Sequence, residues 1–355
     1  MSGYPLLSVN LKKIEENTRT IVKLASKHRM SITGVTKGVC GDPEIGKAML
    51  RGGASSLADS RIENIKRLRA GGIKSPILLL RPPMLSEVEE VVRYTDMSLN
   101  TELRIIKKLS EVAIETGRSH GVVLLVEMGE RRDGICRDEL RRFIEETLSY
   151  EGVELTGIAM NLTCLTGVVP TRDKIEEFDS IVRDLEDEFG VHFKLVSGGN
   201  SANVPLLLEG HPESRINNLR IGEAILLGRD TVRRKHVPGT HTDAFTLEVE
   251  AIEVRRKPST PEGGLTENAF GERPKFRDMG MIRRAVLAIG RQDVEPGGLR
   301  SPSGIKVLWS SSDHTVVYRI PRASRVGDRF RFVISTYDAL LRVFTSPYVK
   351  KRFVR

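Results

Sequence analysis

One lysine stands where covalent chemistry is possible. Lys37 follows the β-branched run Ser31–Thr36 and precedes Gly38 and Gly41. A lysine at the tip of a buried strand loses hydration, which favours the neutral amine, and a neutral amine attacks an aldehyde to form a Schiff base. The flanking glycines let the backbone approach a ligand closely. A solvent-exposed lysine just past a strand end is the alternative, so the rest of the chain has to decide.

A second stretch carries groups that bind anions. Gly198, Gly199, Asn200 and Ser201 offer free main-chain amides, a hydroxyl and a helix cap, and Gly222 adds a further amide. Amides that converge at a helix N-terminus bind phosphate. The same residues also form an ordinary helix start capped by Asn or Ser, so this segment alone does not decide its role.

These residues belong to a chain in which short apolar runs alternate with helical segments. Strands are predicted near 32–37, 55–58, 76–80, 95–99, 121–127, 154–160, 193–197 and 217–221. Helices are predicted at 44–52, 61–70, 85–93, 101–117, 137–149, 171–189 and 201–209. Eight β units within about 200 residues indicate a (β/α)8 TIM-type barrel, although a doubly wound sheet shows the same alternation. No GxGxxG motif follows the first strand, which argues against a dinucleotide-binding sheet.

The pattern changes after Asp230. From about residue 236 onward helices nearly vanish, and the strand-like runs are broken by Gly and Pro. They lie at 245–254, 285–289, 306–309, 315–319 and 330–334. We therefore expect a barrel domain over residues 1–235, followed by a mostly β C-terminal domain over residues 236–355.

In a barrel, function is expected at the carboxyl ends of the strands, and phosphate groups are usually held after strands seven and eight. Lys37 ends the first predicted strand, whereas Ser197–Ser201 and Arg220–Glu223 end the seventh and eighth. A lysine and a phosphate cradle so arranged suggest a phosphorylated aldehyde, pyridoxal 5'-phosphate (PLP). Arg220 would face its ring, and because arginine keeps its proton, the pyridine nitrogen would stay unprotonated and favour a simple proton transfer.

Seven short motifs extend this interpretation over nearly the whole chain. They are Ser8-Val-Asn-Leu11 with Asn17, Val35-Thr-Lys-Gly38, Arg132-Asp-Gly134, Asn200-Ser-Ala202, Leu219-Arg-Ile-Gly222 with Leu227-Gly228, Ala285-Val-Leu-Ala-Ile-Gly290, and Ser311-Ser-Asp-His314. In this order they resemble the alanine racemase family of fold-type III PLP enzymes, and within it the ornithine racemase branch.

The resemblance implies a role for each matching residue. Lys37 would carry the cofactor and act as one of two proton-transfer groups, and Arg220 would face the pyridine nitrogen. Arg132 would lie near the phenolic oxygen and the substrate carboxylate. The residues that the resemblance places against the cofactor are Lys37, Arg132, Asn161, Asn200, Ser201, Arg220, Gly222 and Tyr348, the last two being assigned with Ser201 to the phosphate.

Two departures from the family pattern concern one proton relay. The family's tyrosine base, which comes from the partner subunit, is Arg291 here, and a histidine after the sixth strand is Asn161. Arginine is a poor base because its pKa stays above about 12. We expect the second group to be His314, with Asp313 orienting it or contacting the substrate, since histidine titrates near neutrality. Cys164 is a less favoured acid.

The resemblance implies a PLP-dependent racemase that interconverts the enantiomers of a basic amino acid, most simply ornithine or lysine. The acidic segment Glu267–Glu272 would be a partner for the substrate's terminal ammonium. A loop shared across subunits implies a homodimer. The alternatives are alanine racemase, disfavoured by the missing tyrosine, a non-catalytic PLP carrier, which usually lacks a second domain, and a PLP-dependent aldolase, which needs a metal site that this sequence does not indicate.

Composition excludes several other classes. The chain has 355 residues, is 39% hydrophobic and carries a net charge of +9, but its basic residues are scattered among 47 acids, so we expect no nucleic-acid partner. No apolar window reaches the roughly 18 residues of a membrane span, and a cytoplasmic location is expected. Three widely spaced cysteines indicate neither disulfides nor a metal site.

Overall fold

The structure is a computed structural model that describes residues 3–355. The chain divides into two compact units. The barrel unit is Leu11–His241, and the sheet unit joins Thr242–Arg355 with the N-terminal segment that ends at Asn10. We expected the N-terminal segment to belong to the barrel domain and the boundary between the domains to follow residue 235. The difference arises because the first strand pairs within the sheet unit.

Strand β1, Leu6–Asn10, opens the chain and belongs to the sheet unit. The eight strands of the barrel unit follow it. They are β2 (Ser31–Val35), β3 (Ser56–Asp59), β4 (Ile77–Leu79), β5 (Met97–Asn100), β6 (His120–Val126), β7 (Val153–Met160), β8 (Leu195–Ser197) and β9 (Asn218–Ile221). They form a closed barrel in sequence order, with β9 pairing in parallel with β2. The (β/α)8 prediction is confirmed, and the doubly wound alternative is excluded.

Helices precede the barrel and connect its strands. They are α1 (Leu11–Ser26), α2 (Pro43–Arg51), α3 (Ile62–Ala70), α4 (Val88–Tyr94), α5 (Leu103–Glu115), α6 (Leu140–Leu148), α7 (Arg172–Phe189), α8 (Val204–Glu209) and α9 (Glu223–Leu227). Helix α2 shows how local sequence starts them: Asp42 caps the amides of Glu44 and Ile45, and Pro43 occupies the first turn. The five-residue α9 was not predicted, because so short a helix shows no period.

The barrel interior is apolar on one side and polar on the other. Residues from six strands pack into one cluster, which only their inner faces allow: Val35, Ala58, Leu78, Leu99, Val123, Leu125 and Ala159. The inner faces of β2 and β3 also carry hydrogen-bonding side chains, as do those of β8 and β9. Buried polar groups are stable only when they are paired, so this half of the barrel is organised around its hydrogen bonds.

The sheet unit is mostly β, as predicted. Its further strands are β10 (Phe245–Pro258), β11 (Met281–Leu287), β12 (Leu299–Arg300), β13 (Lys306–Ser310), β14 (Thr315–Tyr318), β15 (Arg329–Ile334) and β16 (Lys350–Val354). The strands follow the order β12-β15-β10-β11-β14-β13, and β1 pairs antiparallel with β10 and parallel with β16.

One helix in the sheet unit corrects the expectation that helices nearly vanish after residue 236. Helix α10, Tyr337–Thr345, buries Leu340, Val343 and Phe344, and the Phe344 ring meets Phe245 of β10 edge to face. Apolar residues three and four apart are the periodic signal that would have found it. Across residues 3–355, no helix has the length and apolar character needed to cross a membrane.

Candidate active site

Lys37 lies at the carboxyl end of β2, but not within the strand. The strand ends at Val35, and Lys37 begins a 3-10 turn, Lys37–Val39. The turn forms because Thr36 leaves the β region (φ −101°, ψ −3°) and its carbonyl accepts the amides of Val39 and Gly41. Lys37 is half-buried, and among the described residues its Nζ has no hydrogen-bond or ion-pair partner.

Asp59, at the carboxyl end of β3, supports the residue before Lys37. Its carboxylate accepts hydrogen bonds from Thr36 Oγ1 (2.8 Å), Asn64 Nδ2 (2.9 Å) and the Arg61 amide (3.1 Å). Asp59 is completely buried, and this desolvation raises the pKa of its carboxyl despite the hydrogen bonds. The sequence indicated a polar residue at this strand end but no role for it.

Arg220, on β9, lies inside the barrel. Its guanidinium donates to Ser197 Oγ (2.5 Å) and to the Met160 carbonyl (2.8 Å). Burial lowers the pKa of Arg220 to about 10, so the side chain stays positively charged at neutral pH.

A chain of side chains continues from Arg220 through the polar half of the barrel. Ser197 Oγ donates to Asn218 Oδ1 (2.9 Å), Asn218 Nδ2 donates to Thr33 Oγ1 (3.0 Å), and Thr33 bonds to Ser56 Oγ (2.8 Å). Side chains from β8, β9, β2 and β3 thus form the hydrogen-bonded chain that holds the Arg220 guanidinium. Sequence reasoning missed Asn218. A polar residue within a short buried strand is the feature that could have indicated it.

The segment that was predicted to bind phosphate, residues 198–201 with Gly222, has fewer free main-chain amides than expected. The amide of Gly198 donates to the Asn218 carbonyl (2.9 Å), so it is not free, which corrects the prediction. Ser201 Oγ accepts the Ala224 amide (3.2 Å), which brings Ser201 to the start of α9, directly after Gly222. A Cβ on Gly222 would lie 3.1 Å from Val35 Cβ, so this backbone packs closely against β2.

Asn200 acts as a cap and as a cross-link. Its Oδ1 accepts the Ala202 amide (2.8 Å), as the ordinary helix-start interpretation predicts. Its Nδ2 donates to the Leu162 carbonyl (2.7 Å) and Asn161 Oδ1 (3.1 Å). Asn161 Nδ2 is buried and has no hydrogen-bond acceptor within the described part of the chain. A buried unpaired amide is unfavourable, so a bound acceptor would satisfy it.

Arg132 lies in the loop after β6. Its Nε donates to Asp133 (2.6 Å), and Cys164 also lies beside it. Burial is the largest single influence on Arg132 and lowers its pKa, but the hydrogen bonds and charge attraction to Asp133 and Cys164 together raise the pKa of the side chain above its usual value.

Glu130 joins the two loops that carry Arg132 and Asn161. It is buried and accepts the amides of Thr163 (2.8 Å), Thr166 (3.2 Å) and Leu165. Sequence reasoning assigned it no function. A carboxylate that accepts several amides in a neighbouring loop restricts that loop, so Glu130 holds Asn161 and Cys164 near Arg132.

The sheet unit holds Asp313 and His314 in the exposed turn between β13 and β14. The Ser311 amide donates to the His314 carbonyl (2.8 Å), and the Asp313 carboxylate accepts the Ser312 hydroxyl. Within residues 3–355, no hydrogen bond joins the Asp313 carboxylate to the His314 ring.

Arg291 lies beside this turn, since its amide donates to the Ser311 carbonyl (2.8 Å). Its guanidinium pairs with Glu272 (2.9 Å) and stacks on Phe270, 4.5 Å from the ring centroid. The hydrogen bond to Glu272 raises the pKa of Arg291. Glu272 is therefore already neutralised, and Glu267 lies 3.5 Å from Arg273. These pairings argue against the proposed ammonium-binding role of the acidic segment.

Tyr348 also lies in the sheet unit, in the segment between α10 and β16. Its side chain is 67% exposed, and its amide donates to Ser346 Oγ (3.2 Å). The predicted site residues thus fall into two groups. The barrel unit brings together Lys37, Arg132, Asn161, Asn200, Ser201, Arg220 and Gly222, and the sheet unit carries Asp313, His314 and Tyr348.

The sequence of this chain is similar to those of known proteins. Residues 9–230 match the family model for the alanine racemase N-terminal domain. The chain is 38% identical to a lysine racemase of Thermotoga maritima, covering 98% of each protein, and 36% identical to an ornithine racemase of Acetoanaerobium sticklandii, covering 99% of this chain and all of that protein.

A solved structure extends the similarity to the whole fold. The alanine racemase of Streptomyces lavendulae superposes with a TM-score of 0.78 at 17% identity, covering 100% of this chain and 98% of that one. At this identity the likeness concerns the fold alone. Together with the match over the barrel and the two full-length relatives, it leads to one conclusion: the chain belongs to the alanine racemase family.

Proposed function

We propose that this protein is a PLP-dependent racemase that interconverts the L and D enantiomers of a basic amino acid, ornithine or lysine. The observation that carries the proposal is that a half-buried Lys37, whose side chain has no partner within residues 3–355, follows one barrel strand, while a buried, charged Arg220 lies on the neighbouring strand. The two full-length relatives, a lysine and an ornithine racemase, support the choice of substrate class.

The residues of the barrel unit fit the cofactor. Lys37 would hold it through Nζ, and Ser201, Asn200 and the Gly222 amide would receive its phosphate, since Ser201 Oγ still has its proton to donate. Arg132 would bind the phenolic oxygen and the substrate carboxylate, and the unpaired Asn161 Nδ2 would donate to an acceptor of the bound group. Tyr348 is a further proposed phosphate ligand.

When bound, the cofactor acidifies the Cα proton of an attached amino acid through its conjugated ring. Arg220 contributes by keeping its own proton, because its pKa of about 10 leaves it charged at neutral pH. It therefore donates a hydrogen bond without transferring a proton. The chain from Ser197 to Ser56 holds its guanidinium in one orientation.

Racemisation needs one proton-transfer group on each face of Cα. Lys37 Nζ would take or return the proton on one face. Arg291 occupies the position of the family's second base, but its pairing with Glu272 suits an anchoring role instead. The adjacent turn offers His314, whose exposed ring is free to carry a proton, with Asp313 beside it in sequence.

We further propose a cytoplasmic homodimer whose active sites are shared. In the resemblance drawn from the sequence, the second proton-transfer group comes from the opposing subunit. The turn that holds Asp313 and His314 would then complete the site of the partner.

The proposal is tested with the purified protein, PLP and one substitution. Wild type should bind PLP with a visible absorption band that borohydride abolishes by fixing the cofactor to the chain, and it should racemise L-ornithine or L-lysine. Lys37→Ala should lose both properties, because no other amine among residues 3–355 lies at this strand end, whereas the exposed Lys74→Ala should keep them.

The outcomes separate the alternatives. A protein that binds PLP but leaves ornithine, lysine and alanine unchanged would contradict the racemase assignment and favour a carrier or an aldolase. Racemisation of alanine alone would contradict the substrate class. A protein that does not bind PLP would contradict the entire proposal.

A further inference from the structure

The buried carboxylate of Asp59 is not used by the mechanism above. It lies at the carboxyl end of β3, next to β2, and it is completely buried. Three donors converge on it within 3.1 Å: the Thr36 hydroxyl, the Asn64 side chain and the Arg61 amide. Only Thr36 comes from another strand segment, so this bond links β3 to the residue before Lys37.

Thr36 controls the path of the turn that carries Lys37. Its amide donates to the Ala58 carbonyl (2.9 Å), and its own carbonyl accepts the amides of Val39 (2.9 Å) and Gly41 (3.2 Å). A rotation of Thr36 would therefore displace every residue of the turn. The Asp59 carboxylate holds the Thr36 side chain against such a rotation.

The segment that follows β3, residues 59–67, also contacts the C-terminal end of the Lys37 turn. Gly41 has a positive φ of 61°, and a Cβ there would lie 2.5 Å from the Asn64 carbonyl oxygen. Arg67 of α3 donates to the Cys40 carbonyl. Residues 59–67 thus contact both ends of the Lys37 turn, and Asn64 contacts both Gly41 and Asp59.

We propose that Asp59 is a positioning residue for Lys37, acting through its hydrogen bond with the Thr36 hydroxyl. The inference rests on the proposed function, in which Lys37 Nζ must reach both the cofactor and the Cα proton. Lys37 has no side-chain partner among the described residues, so its main chain has to determine where its long side chain begins. Misplacing a reacting group by about 1 Å can reduce a rate about a hundredfold.

Asp59 also has a structural role, which has to be separated from positioning. Burial raises the pKa of its carboxyl, but Asp59→Ala would leave the Asn64 side chain and the Arg61 amide without their acceptor, so the unfolding midpoint should fall. Thr36→Val leaves both of these bonds in place. A loosened turn in Thr36→Val therefore reports on the bond between Thr36 and Asp59 and not on the stability of the β3 end.

The test uses paired deletions and rescues. Thr36→Val and Asp59→Ala remove one partner each. Thr36→Ser keeps the hydroxyl, and Asp59→Asn keeps an acceptor for Asn64 and can donate to the Thr36 hydroxyl, whose own proton would go to the Ala58 carbonyl (3.2 Å). Asp96→Ala is the matched control, because Asp96 accepts the Ile77 amide (2.7 Å) just before β5, at the opposite end of the barrel.

Amide hydrogen exchange of the cofactor-free protein is the first readout. Exchange at Val39 and Gly41 should be about tenfold faster in Thr36→Val and Asp59→Ala, and within about twofold of wild type in both rescues. Both single variants break the bond between Thr36 and Asp59, so the effect of the double variant on exchange should be smaller than the sum of the two single effects, expressed as free energies. Asp96→Ala should accelerate only the Ile77 amide.

Retention of PLP during dialysis and the turnover number are the second readout. Both should fall in the deletion variants, while the KM for the amino acid changes little. Unchanged exchange at Val39 and Gly41 in both deletion variants would overturn the proposal, whatever the activity. If wild type itself neither binds PLP nor racemises, the proposed function fails, but the exchange result still decides whether Asp59 positions the turn.

Discussion

The role proposed for each side chain depends on the hydrogen bonds and ion pairs that it already makes. Arg220 is charged and surrounded by acceptors, so it can donate a hydrogen bond but not act as a base. Arg291 is paired with Glu272 and stacked on Phe270. His314, by contrast, is exposed and has no side-chain partner in the described chain, which suits a group that must gain and lose a proton.

The first prediction concerns His314. Replacing it with Ala should reduce the turnover number for racemisation by about 10²- to 10⁴-fold, the usual contribution of a general acid or base. In deuterated water the variant should still exchange the Cα hydrogen of the one enantiomer that Lys37 deprotonates. Proton NMR of L- and D-lysine measures this asymmetry.

Ser303→Ala, an exposed position of the same unit, serves as the control and should behave as wild type. Equal exchange of both enantiomers, or unchanged racemisation, in His314→Ala would show that another group fills this role. Cys164 would then be the next candidate.

Two turns connect these side chains to the elements that carry them. In the barrel unit, the turn after β2 is held by residues that follow β3. In the sheet unit, the turn between β13 and β14 packs against the segment after β11. A Cβ on Gly290 would lie 2.1 Å from the Ser312 carbonyl oxygen and 2.3 Å from the Asp313 amide nitrogen. No side chain fits there without moving the turn.

Gly290→Ala should therefore shift the Asp313 and His314 turn. Overpacking of this kind costs about 1–3 kcal/mol, so the unfolding midpoint in urea should fall, and racemisation should fall with it. Gly297→Ala is the control, because the nearest atom to its added Cβ is 3.9 Å away. A Gly290→Ala variant as stable and active as wild type would contradict the close packing.

The buried histidine His120 should make the folding stability of the molecule depend on pH. His120 is fully buried and bonded to Ser98 (2.8 Å), and desolvation lowers its pKa to about 4. An unfolded histidine binds its proton near pH 6.5. Between about pH 6.5 and 4 the unfolded state therefore holds more protons, and stability falls as the pH falls through this window.

We expect His120→Gln to remove this dependence. Between pH 7 and pH 4, wild type should lose about 3 kcal/mol of unfolding free energy more than the variant does, as measured by urea denaturation at several pH values. The exposed His192→Gln should resemble wild type. Parallel pH profiles for wild type and His120→Gln would show that His120 is protonated without unfolding.

Assembly supplies the last prediction. If active sites are shared, two inactive homodimers, Lys37→Ala and His314→Ala, should regain activity on mixing. Each mixed dimer would carry one site with both native groups, so about a quarter of the wild-type activity is expected after subunit exchange. Sedimentation should show dimers throughout. Mixed dimers without activity would place Lys37 and His314 of one site in the same subunit, and an active monomer would exclude the dimer.

The sequence alone determined the order of the barrel strands, and it indicated Lys37 and Arg220 as candidate site residues. Buried strands are apolar runs of the required length, and each of the eight predicted barrel strands is present. Spacing between strand ends then indicated which residues face the barrel mouth. Apolar patterns predict these strands correctly because the burial of apolar residues is the main driving force of folding.

Only the tertiary structure decided which groups are available. The Gly198 amide was expected to be free, but a backbone bond to Asn218 occupies it. Asp59 and Thr36 are 23 positions apart in the chain and meet only because β2 and β3 pair. Arg291 is neutralised by Glu272 from a distant loop. Hydrogen bonds between distant segments leave no periodic signal, so partners of this kind follow from the fold and not from the local sequence.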